Sequence, residues 1–60
     1  MNLSTKHIAK LIKHFGNRNL LAAEMEVSER TIMRWEKSLA HIYPANRREL
    51  ERLVKKFNIG

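Results

Sequence analysis

Arg30, Met33, Arg34 and Lys37 stand three, four and seven residues apart. On a helix that spacing places all four side chains on one face. A guanidinium presents five N–H donors in a planar fork, and an ammonium is a mobile point charge. The chemistry on offer is therefore recognition of anions and paired acceptors, not proton transfer. Ser28 and Glu29 lie just before this set, and Arg18 lies ten residues upstream of Ser28. Other reactive groups are sparse. His7, His14 and His41 are scattered, and no carboxylate or third ligand joins them at a spacing that would hold a metal. There is no cysteine, no aspartate and no glycine-rich phosphate loop, and 60 residues are too few to enclose a pocket. No enzyme, cofactor or metal site is expected.

The 12 Lys and Arg residues outweigh 6 acids, all glutamates, for a net charge of +6. That excess favours an anionic partner, which charge alone leaves open among nucleic acid, a membrane surface and an acidic protein. No apolar run approaches the ~20 residues that span a bilayer, and no signal-peptide pattern opens the chain. The absence of cysteine fits a reducing compartment, so the expectation is a cytoplasmic protein without membrane contact. A single domain of this size buries roughly 60% of the surface its unfolded chain exposes. Helix caps and turns should matter to its stability.

Periodicity and capping residues predict four helices and no strand, an all-α domain spanning residues 1–60. Ser4 is placed to cap helix 1 from Thr5 to Phe15, with Leu3 and Ile8 as a hydrophobic staple. Ile8, Leu11, Ile12 and Phe15 form its inner face, and Lys6, Lys10 and Lys13 its outer one. Gly16 provides the stop. Asn17 is placed to cap helix 2 over about 18–25, with Leu21, Ala22 and Met25 inward and Leu20 as a flank. Ser28 is placed to cap helix 3, over about 29–37. The stretch 38–45 lacks periodicity, contains Pro44 and reads as a connection. Asn46 and Glu49 resemble a capping box for helix 4, which carries Leu50, Leu53, Val54 and Phe57.

At about 100° per residue, Ile32 and Trp35 fall on one side of helix 3 and Arg30, Met33, Arg34 and Lys37 on the other. Trp35 stands at the inward angle and reads as core rather than as a stacking platform. Met33 has two readings, contact with a thymine methyl or plain surface cover. A cationic helix fits the major groove of B-DNA, where arginine can grip guanine O6 and N7 and neutralise phosphates.

The stretch "LLAAEMEVSERTIMRWEKS", residues 20–38, resembles the helix-turn-helix of the Cro/repressor family of small phage and bacterial transcription regulators. The resemblance rests on Leu21 and Ala22, Val27 and Ser28, Thr31 and Ile32, and Arg34, Trp35 and Glu36. "HFGNR", residues 14–18, is similar to the approach to helix 2 in short all-helical Cro proteins. The resemblance implies a lambda-repressor-like DNA-binding architecture. Carried over by position, it implies that Arg18, Ser28, Glu29, Arg30, Met33, Arg34 and Lys37 face DNA, with Arg18 on a phosphate. The chain departs from the family pattern at Glu26, where a glycine is usual. That predicts either a strained left-handed turn or a different path.

The expected function is a sequence-specific double-stranded DNA-binding regulator, a repressor because so small a chain has room for little beyond blocking a promoter. The expected operator is an inverted repeat, bound by a weak homodimer or by copies that pair on DNA, since the chain ends without the fifth helix or strand that many relatives use to dimerise. An excisionase-like or architectural DNA-binding protein, and a protein-interaction module such as an antitoxin, are the alternatives. The first would normally add a basic wing, which the sequence does not show.

Overall fold

The computed structural model describes residues 2–60, and every regular element among them is a helix: α1 Thr5–Phe15, α2 Arg18–Met25, α3 Glu29–Lys37 and α4 Pro44–Lys56. The first three begin where the capping residues place them. At α1 the Ser4 backbone N–H donates to His7 Nδ1 at 3.0 Å, so a histidine takes the third helical position that a capping box usually gives to Glu or Gln. Asn17 Oδ1 accepts from the Leu20 N–H at 2.9 Å, and Ser28 Oγ from the Thr31 N–H at 3.1 Å. Each cap satisfies a donor that the first helical turn leaves unpaired.

The apolar stripes meet in one core. Ile8 and Leu11 of α1, Leu21 and Ala22 of α2, Ile32 and Trp35 of α3 and Leu50, Leu53 and Val54 of α4 are all buried. Helix α1 is central, packing against α2, α3 and α4, while α2 and α3 pack on each other. Trp35 is core, at 5% exposure. Ala22, at 3%, is a small residue on the buried face of α2. Leu20 is a correction: half exposed, it lies outside the apolar face it was expected to flank. No polar or charged side chain is buried among the described residues, and no buried side-chain nitrogen or oxygen lacks a hydrogen-bond partner.

Helix α4 also departs from the sequence reading. It starts at Pro44 after an extended Tyr43, not at a cap formed by Asn46. Proline is favoured at the first helical position, where its missing N–H has no partner to lose and its φ is already helical. Pro44 therefore opens the helix rather than interrupting the chain. Asn46 lies inside the first turn, and Glu49 accepts from Arg52 Nε at 3.0 Å instead of reaching back to a cap. The connection is accordingly shorter, and it is tied to the core by Leu39, which is buried. Leu39 follows the extended Ser38 that ends α3 and joins the same core as Ile32 and Trp35.

Three residues, 26–28, join α2 to α3. Glu26 has φ 57° and ψ 43°, a left-handed backbone. The Glu26 N–H donates to the Ala23 carbonyl at 3.3 Å and the Val27 N–H to the Ala22 carbonyl at 3.0 Å. These are the two bonds of a Schellman motif, closed here on a glutamate rather than a glycine. Of the two paths open at Glu26, the chain takes the strained left-handed one. The same motif closes α4 on Asn58, where the Ile59 N–H donates to the Val54 carbonyl at 2.9 Å.

Candidate nucleic-acid interface

Ile32 and Trp35 anchor α3 in the core, and the rest of the helix follows from that anchoring. Arg30 and Lys37 point directly away from the buried side, with Met33 and Arg34 flanking them, and all four are exposed. Met33 keeps 47% of its surface in solvent, a large apolar group at the edge of a cationic face. Among the described residues Arg30, Arg34 and Lys37 form no ion pair, so their charges are available to a partner.

Charge is divided across the width of α3. Glu29, Met33 and Glu36 share the stripe nearer α2, the cations hold the middle, and Ser28, Thr31 and Ser38 line the far edge. On that edge an open groove of about 700 Å³ separates α3 from the 38–46 segment. Its lining is largely apolar, from Val27, Trp35, Ile42 and the exposed Tyr43, with Arg34 at its rim. Sequence reasoning did not anticipate this groove, because it depends on where the α3–α4 connection folds back.

Two of the predicted positions have additional local duties. Ser28 is exposed, but its hydroxyl oxygen accepts from the Thr31 N–H and lies 2.9 Å from Thr31 Oγ1. Its first role is to start α3. Arg18, at the first position of α2, is engaged bidentately by Glu36 near the end of α3: Nε donates to one carboxylate oxygen and Nη2 to the other, the latter at 3.0 Å. The hydrogen bond to Glu36 and then its charge hold the guanidinium above the usual arginine range, with a smaller contribution from Glu29. The sequence resemblance implies a phosphate contact for Arg18 and gives no sign of a protein partner. The pairing joins residues 18 apart and appears only once α2 and α3 pack.

Glu29, Arg30, Met33, Arg34 and Lys37 thus share one exposed helix face, while Arg18 and Ser28 border it at opposite edges. Arg47 and Arg48 lie four and five residues into α4, Arg47 half-buried and Arg48 exposed. Lys6, Lys10 and Lys13 are exposed on α1. Among the described residues no group of three His, Cys, Asp or Glu could hold a metal ion, and no helix is long and apolar enough to cross a membrane. No family model, curated protein or solved structure matches this chain.

Proposed function

We propose that the chain is a sequence-specific double-stranded DNA-binding transcription regulator, a small Cro-like repressor in which α2, the turn at 26–28 and α3 form a helix-turn-helix. The observation that carries this reading is the outer face of α3. Three unpaired cations and a methionine project from a short helix whose opposite side is fixed in the core by Ile32 and Trp35. Such a helix can enter the major groove, with Arg30 or Arg34 reaching guanine acceptors, Met33 a thymine methyl and Lys37 a phosphate. Glu29, in the first turn, can accept from cytosine N4 or exclude other bases.

One such unit reads only ~4–6 base pairs, so two copies bind neighbouring major-groove faces about 34 Å apart, on an inverted repeat. Pairing is weak in solution and strengthened by DNA. The test is selection of bound sites from a random duplex pool, followed by titration at several salt concentrations. The expected result is a recovered inverted repeat whose log affinity falls linearly and steeply with log salt. No enriched sequence, or an affinity indifferent to salt, refutes the reading.

A further inference from the structure

Arg18 and Glu36 connect the start of α2 to the last turn of α3, and both remain in reach of solvent, with side-chain exposures of 47% and 26%. A guanidinium has five N–H donors, and Glu36 engages one on Nε and one on Nη2, leaving three. The pair is neutral as a unit. An anion reaching the remaining donors therefore meets directed hydrogen bonds but little net positive charge. It also meets a group held on both helices at once, unlike Lys37, which stands on α3 alone.

We propose that Arg18 and Glu36 form a charge-neutral clamp on one DNA phosphate. Arg18 makes the contact, and Glu36 is a positioning residue that fixes the guanidinium and, through it, the seating of α3. This rests on the DNA-binding reading above. It changes what Arg18 contributes: geometry and discrimination instead of general attraction. Glu36 limits binding to arbitrary sequence, because it cancels a charge that would otherwise attract any phosphate.

The clamp makes a distinctive prediction for salt dependence, since each unpaired protein charge near B-DNA changes the slope of log affinity against log salt by about 0.9. Arg18→Ala, Glu36→Gln and the double variant are titrated on the selected duplex and a scrambled one. Circular dichroism identifies a temperature at which every variant is folded. Arg18→Ala leaves Glu36 unopposed, so the slope becomes shallower by up to about one and affinity for the selected duplex falls roughly tenfold. Glu36→Gln frees the arginine charge, so the slope steepens by about one, scrambled DNA binds more tightly and discrimination falls. In the double variant no charge remains on either partner. Its slope returns to that of the parent while its affinity for the selected duplex stays roughly tenfold low.

An unclamped cation behaves otherwise. If Glu36→Gln leaves the slope unchanged and the double variant keeps the shallow slope of Arg18→Ala, the clamp is overturned. If the double variant recovers full affinity, no phosphate contact is made there and the proposal also falls. Failure of the parent protein to bind any duplex in a salt-dependent way is a separate result, seen before any variant is compared, and it removes the DNA-binding reading together with the clamp.

Discussion

Replacing Glu26 by glycine should stabilise the domain, although it deletes a whole side chain. Glu26 is held at φ 57°. For an L-residue with a Cβ that conformation costs about 1–2 kcal/mol. The two Schellman hydrogen bonds, at about 0.5–1.5 kcal/mol each, and the packing of Val27 against the core sustain it. Glycine removes the steric cost and retains both bonds, but it adds roughly 0.5–1 kcal/mol of chain entropy to the unfolded state. The charge matters little, because the residue sits between the negative end of α2 and the positive end of α3. The net expectation is a gain of about 0.5–1 kcal/mol. In urea this moves the midpoint up by roughly 0.5–1 M at an unchanged slope of about 1 kcal/mol per M, and it raises Tm by about 2–8 °C. Glu26→Ala is the control, since it removes the charge but keeps the Cβ, and it should stay within about 0.5 kcal/mol of the parent. Equal midpoints for the glycine and alanine variants would refute the strain argument. Because glycine removes a negative charge beside the proposed interface, DNA affinity should not fall.

On the outer face of α3, Arg34→Ala should cost ~1–3 kcal/mol on the selected duplex and relax selection at one base pair. Lys37→Ala should weaken all sequences alike and reduce the salt slope by about one, and Glu29→Ala should tighten scrambled DNA; matched titrations on both duplexes separate the three. Gly16→Ala should destabilise by at least about 1 kcal/mol, read from thermal melts. The residue sits at φ 115°, and a Cβ would meet Leu20 Cδ1 at 3.1 Å. That neighbour is a half-exposed side-chain end and can move, so the backbone sets the cost. Glu49 is held below the usual carboxylate range, chiefly by the hydrogen bond from Arg52. Its contribution is present above the unfolded carboxylate value and is lost as pH falls through the lower folded one. Glu49→Gln should therefore flatten part of the acid limb of a Tm-against-pH profile, and an unchanged limb would contradict the assignment.

Much of this architecture was legible in the chain because its signals are local. Ser4, Asn17 and Ser28 mark helix starts through bonds spanning three residues, and the apolar stripes need only the 3.6-residue period. The start of α4 was misread because proline carries opposite meanings inside a helix and at its first turn, and Pro44 occupies the latter. Leu39 has no local signal: it lies past the extended Ser38 that ends α3, where no helical period marks an inward residue. The exposed side of α3 could be read from the wheel. The Arg18 and Glu36 pairing could not, because it depends on the packing of two helices that no short-range rule fixes. The groove beside Trp35 likewise depends on how the α3–α4 connection returns to the core.

The anchoring of α3 by Ile32 and Trp35 has a consequence for how such a protein can change. Neither anchor belongs to the set of outward residues, and among the described residues no side-chain hydrogen bond or ion pair ties Arg30, Met33, Arg34 or Lys37 to the rest of the domain. Substitutions at those four positions should therefore shift stability by no more than about 0.5 kcal/mol each, the usual range for exposed sites away from caps and cores. The vocabulary of the helix is separable from its grammar. A lineage of such chains could drift to new target sequences through these positions while the scaffold stays under constant selection, and a library randomised at all four should remain largely folded whatever it binds.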